Sequence, residues 1–307
     1  MDPVTRAVLL SWEWRVEVVL PLALLGVLYV LGWRRLRRRT RSVRAAYRLA
    51  NGWRLAAYLG GLAVVLLALV SPIDVLGGQF FFMHMIQHLF LVMLAPPLLM
   101  LANPLPFILW GLPEKWRRTA GGWLSTALHR KSSFRRSLRS VTGPGLVWLL
   151  YVVFLVGWHD PNLYNAALRS EFVHDVEHLS FFLPAMLYWW HVVGAGPRIH
   201  RQFGRPARMA YVIAAIPPTM FTGIAIAFAE QPIYSYYLSV PRPWNLDVLS
   251  DQRISGIIMW IPGSMMYIVA VLILAARWLR GEENKPPLPA TKWATDERMA
   301  APGLDRR

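Results

Sequence analysis

Seven apolar runs separated by arginine-rich stretches constrain the fold more than any other feature of this chain. They lie at 16–33, 55–76, 80–101, 144–158, 172–193, 209–229 and 254–276. Crossing ~30 Å of hydrocarbon takes about 20 residues of helix, and a helix satisfies its own backbone polar groups there. The expected fold class is therefore all-α, a polytopic transmembrane helix bundle of seven helices. The run at 144–158 is short and spans only with help from its flanks, so six is the fallback. The first run has no small-residue cleavage site behind it and is read as a mature helix. Residues 1–280 read as a single membrane domain. Residues 281–307 are polar, proline-containing and aperiodic, and read as a disordered cytoplasmic tail.

A net charge of +16 first suggests nucleic acid, but its placement argues otherwise. Nine arginines fall in 34–54, eight Lys/Arg in 113–143, four in 194–208 and seven from Arg277 onward. Only Arg6, Arg15, Arg169, Arg242 and Arg253 lie in the alternate connections. This alternation is the positive-inside pattern, and it puts the N-terminus outside and the C-terminus in the cytoplasm. The charge sets orientation and adds some affinity for anionic membrane lipid; no nucleic-acid partner is expected.

The chain has no cysteine, so disulfides, thiolate metal sites and thiol redox chemistry are excluded. Histidine takes their place. Five of the eight histidines fall near the outer ends of spans: His84 and His88 on the third, His159 after the fourth, His174 and His178 on the fifth. Ionisable side chains in a bilayer are costly and mark functional sites by default. Residues four apart share one helix face, so each pair can offer two imidazoles to one ion. Taken singly, each histidine is as well explained by a hydrogen bond to a neighbour; five at one depth from three helices favour a shared site. His129, His191 and His200 fall on the inner side and are set aside.

Met83, Met85 and Met93 share the third span, and Met259, Met265 and Met266 the seventh. Thioethers select Cu(I), although methionine also fills cores. Glu177 and Asp251 are candidates to receive the second ring N–H of a metal-bound histidine, or else to pair with surface arginines. Pro96–Pro97 and Pro217–Pro218 should kink the third and sixth spans, as packing devices or to open a cavity. Two rival chemistries remain. His174-x-x-Glu177-His178 fits the H-x-x-E-H zinc-hydrolase pattern but leaves His84, His88 and His159 unexplained. Paired histidines at one depth also suit bis-histidine haem.

Three blocks carry a family resemblance. HMIQHLFLVMLAPPLLMLANP (84–104), WHDPNLYNAALRSEFVHDVEHLSFF (158–182) and DQRISGIIMWIPG (251–263) resemble the CtaG-type cytochrome c oxidase assembly factors, bacterial multi-pass proteins. The resemblance covers about 55–276, with Ser255 standing where one of two glycines is expected. It implies a non-enzymatic role in maturing a haem-copper oxidase at the bacterial plasma membrane. The cofactor would be copper, most naturally Cu(I), taken from an external donor protein and passed to oxidase subunits. The matching positions are His84, His88, His159, His174 and His178, with Asp251 and Gln252 from the third block. A scaffold that holds oxidase subunits without metal is the alternative from a different class.

Overall fold

The computed structural model describes residues 3–39, 50–201 and 203–283, and all of its regular structure is helical. A short helix α1 (Pro3–Leu10) precedes α2 (Val16–Arg39) and α3 (Gly52–Val70). Helix α4 (Pro72–Gly77) leads into α5 (Phe81–Leu101) and α6 (Pro104–Gly111). Next come α7 (Glu114–Ala127), α8 (Ser133–Val141), α9 (Pro144–Gly157), α10 (Pro161–Arg169) and α11 (Glu171–Val193). The last two are α12 (Arg205–Ala227), which is interrupted at 214–215, and α13 (Val248–Glu283).

Among the described residues, α2, α3, α5, α12 and α13 are long and apolar enough to cross a membrane. The pair α8–α9, bent by 44°, makes a sixth if it counts as one span. The protein is thus a multi-pass membrane protein. Helix α11 has 23 residues, but with three histidines, Asp175 and two glutamates it is not among the helices apolar enough to cross. The expected run 55–76 is split: Ser71 closes α3, and its hydroxyl accepts from the Ile73 N–H at 3.2 Å to open α4. Helices α7 and α8 have no buried residue, which suits amphipathic segments lying on the bundle's surface. Of the expected tail, residues 281–283 continue α13, and 284–307 lie outside the described residues.

Two glycine contacts set the helix spacing. Gly32 of α2 meets the backbone of Phe107 and Gly111 in α6, and Gly256 of α13 meets Gly223 and Ala227 in α12. A Cβ at either position would overlap main-chain atoms, so only small residues let these helices pack. The proline pair in α5 acts differently. Pro96 has no N–H to offer the Val92 carbonyl, and the turn before it, Phe90–Leu94, widens to a π-helix. The indole of Trp189 on α11 donates to that carbonyl at 3.0 Å, restoring the lost bond across the interface. The kink therefore ties α5 to α11, the two helices that carry the histidine pairs.

Polar contacts separate the two ends. At one end Arg35 caps α6 by donating to the carbonyls of Trp110, Gly111 and Leu112. At the other, Arg15 binds the Asp175 carboxylate through two contacts of 2.8 and 2.7 Å. The histidine pairs sit at the Arg15 end.

Candidate metal centre

Helices α5 and α11 face each other so that both i, i+4 pairs point inward. Ring centroids are 4.2 Å apart for His84–His88 and 4.1 Å for His174–His178. Across the interface His84 lies 5.1 Å from His174 and 5.9 Å from His178, and His88 lies 5.5 Å from His178. Glu177, fully buried, projects between them: its carboxylate oxygens stand 3.7 Å from His84 Nε2 and 3.6 Å from His88 Nε2. These separations are too long for hydrogen bonds. His84, His174, Glu177 and His178 each offer a ligand atom, all within 4.8 Å of one another.

The site's polar atoms are conspicuously unpartnered. Both carboxylate oxygens of Glu177, both ring nitrogens of His178 and Nε2 of His84 are buried without a hydrogen-bond partner. Buried polar groups are paired in the great majority of cases, and each exception calls for an explanation. Here the unpaired atoms are all metal-ligand types, and the three residues that carry them belong to the group whose ligand atoms lie within 4.8 Å of one another.

A hydrogen-bond chain fixes which nitrogen of His84 faces that group. The Tyr237 hydroxyl donates to the Gly77 carbonyl at 2.9 Å, an acceptor that can do nothing else. The Tyr164 hydroxyl lies 3.3 Å from that of Tyr237 and 2.7 Å from His84 Nδ1. With Nδ1 engaged by Tyr164, Nε2 is the nitrogen that His84 turns toward Glu177. Ligating histidines are commonly oriented by such a bond at the other ring nitrogen. Sequence reasoning missed both tyrosines; only the place of Tyr164 between His159 and His174 hinted at a role.

His159 stands beside this cluster rather than in it. Its Nδ1 donates to the Leu155 carbonyl at 2.6 Å, leaving a buried Nε2 with no partner. Its ring is 6.4 Å from that of His88. The two line a small cavity with Met85, Met93 and Met259. Met83 is half-buried one residue before His84, and so about 100° around the helix from it.

Asp251 and Gln252 bind backbone groups and Arg242 in place of the imidazoles. The Asp251 carboxylate accepts from the Phe81 and Phe82 N–H groups, 2.9 Å each, and from Arg242 at 2.6 Å. It thus caps α5, whose own N-cap position is Phe80 with no side chain to do so. Gln252 accepts from the Ile233 N–H and donates to the Gln231 carbonyl, holding the connection between α12 and α13. Both act as structural ties, one of them at the base of the helix that bears His84. Of the histidines set aside, His191 and His200 meet at Thr142 on the opposite end.

Two clefts approach the cluster from the Arg15 end. One, with an acidic rim of Glu13, Glu17, Asp74 and Glu171, reaches His174; the other, lined by Arg15, Asp175, Leu22 and Phe182, reaches His178. Arg15 and Glu17 line both clefts. Burial holds the Asp74 carboxyl above its usual range, at about 6, although Gln87 donates to it and Arg15 is near. Folded Asp74 therefore keeps its proton to a higher pH than the unfolded chain does. The resulting stability is fully present below about pH 4 and lost as pH rises through 6, a change on the order of 3 kcal/mol. Thermal melts of the wild type and Asp74→Asn across pH 4–7 should diverge over this window, the variant being flatter; parallel curves would contradict the assignment.

Residues 27–281 match the model of a protein family described as cytochrome c oxidase caa3 assembly factor, and the chain belongs to that family. Uncharacterized proteins of Mycobacterium bovis and Mycobacterium tuberculosis are each 27% identical over 290 residues, 92% of this chain and 41% of the relative. One from Mycobacterium leprae is 27% identical over 267 residues, covering 85% and 38%. The chain thus spans about two-fifths of the length of the curated relatives it matches. No solved structure matches it.

Proposed function

We propose that this member of the caa3 assembly-factor family takes copper from the outer side of the bacterial plasma membrane and delivers it to a haem-copper oxidase. The observation that carries the reading is the convergence within 4.8 Å of the half-buried His174 with His84, Glu177 and His178, which are buried and largely unpartnered. Imidazole accepts copper, and an open set of donors lets a cargo ion leave by exchange rather than by breaking a closed cage. In this reading α11 and the short α9 also span, giving seven passes with the N-terminus outside. The basic ends of the spans then face the cytoplasm, and both clefts open toward an external donor.

The test is metal analysis of protein purified after expression with copper, with an optical spectrum on the same sample. The wild type should carry copper, and His84→Ala/His178→Ala should lose at least the share bound at the cluster. Equal copper in both would sink the site, and a Soret band would point to haem instead. Normal oxidase assembly in cells carrying the copper-depleted variant would favour a metal-free scaffold.

A further inference from the structure

The five histidines do not form one shell. His84, His174, Glu177 and His178 each bring a ligand atom within 4.8 Å of the others, whereas His159 stands beyond His88, with ring centroids 6.4 Å apart. On that far side lies the cavity of about 30 Å³, enclosed between α5, α9, α11, α12 and α13 and set against the π-helical turn of α5. Such a volume holds one or two water-sized bodies, and hence a metal ion.

Its lining is unusual for a gap in a membrane bundle. His159 presents the lone pair of its buried, unpartnered Nε2, because Nδ1 is committed to the Leu155 carbonyl. His88 is 94% buried, since only 6% of it is exposed, and neither of its ring nitrogens has a partner. Met85, Met93 and Met259 complete the wall, all three buried, and they come from two different helices. One thioether in a core is filler; three around one cavity, beside two imidazoles with unpartnered nitrogens, make a donor set, in which Met93 Sδ also accepts from the Tyr151 hydroxyl at 3.8 Å.

We propose that this cavity is a second copper position, specific for Cu(I), held by His88, His159 and thioethers of Met85, Met93 and Met259. The inference rests on the copper reading of the first cluster and adds a site of different chemistry. All the donors are neutral and three of the five are soft thioethers, which selects Cu(I) over Zn(II) and Cu(II). The first cluster includes a carboxylate and is the less selective of the two. His88 borders both positions: its Nε2 is 3.6 Å from Glu177, and its ring helps line the cavity. An ion can therefore pass between them by exchanging one donor at a time, with no change of oxidation state. The π-helical turn is what opens α5 next to this wall.

The full chain in detergent, titrated with Cu(I) under a competing chelator, should bind about two equivalents. Met93→Leu/Met259→Leu nearly conserves volume, should bind about one, and should lose the copper–sulfur signal in X-ray absorption. His84→Ala/His178→Ala should also bind about one, with the sulfur signal kept. A wild type that binds one equivalent without sulfur would overturn the second position and leave the first intact. Loss of all copper in both variants would likewise mean a single shared site. A wild type that binds no Cu(I) at all would overturn both.

Discussion

Glu177→Gln should make the metal-free protein more stable while weakening copper binding at least ~100-fold, beyond the 10–100-fold that supporting groups of a metal site usually cost. The two effects share one cause. Glu177 is fully buried among imidazoles with neither oxygen hydrogen-bonded, and a carboxylate in that position is costly without a cation. Glutamine keeps the shape and removes the ionisable group, so the metal-free fold should gain on the order of 1–3 kcal/mol. The gain should vanish or reverse when copper is added, because the wild type alone recovers its stabilisation by binding. Paired melts with and without Cu(I) read both signs. A variant that is less stable without metal and binds copper normally would show that Glu177 is a structural carboxylate with partners of its own.

Much of this site can be read from local patterns, because helical periodicity is local. His84/His88 and His174/His178 had to share faces once their segments were helical, and the charge alternation placed both pairs toward one end. The split at Ser71 was legible too: Ser71-Pro72 is an N-cap followed by proline, a helix start inside an apolar run. What the sequence could not show depends on contacts between distant residues. Tyr164 orients His84 from 80 residues away, and Tyr237 fixes Tyr164 from a further 73. The division of five histidines into a carboxylate cluster and a thioether cavity follows from the rotation of α5 against α11 and α13. Trp189 answering the carbonyl freed by Pro96 is likewise invisible in a composition of apolar residues.

Asp251 gives the second large effect, and its role is the one furthest from what its position suggested. It lies 170 residues from Phe81, yet it supplies the cap that Phe80 cannot, and it is also the partner of Arg242. Asp251→Ala would strand two N–H groups in the first turn of α5 and leave Arg242, only 13% exposed, without its counter-charge. Breaking a buried pair from one side costs about 3–5 kcal/mol, and the lost cap adds about 1 kcal/mol. A large fall in melting temperature should follow. His84 sits one turn beyond Phe81, so copper binding should weaken as well, although Asp251 touches no imidazole. The double variant Asp251→Asn/Arg242→Gln removes both charges together and should recover part of the loss, a coupling that a thermodynamic cycle measures directly. If Asp251→Ala melts within a degree of the wild type, α5 is held by its packing against α11 and α13 alone. The ion pair would then be a local tie of the α12–α13 connection rather than the anchor of the histidine helix.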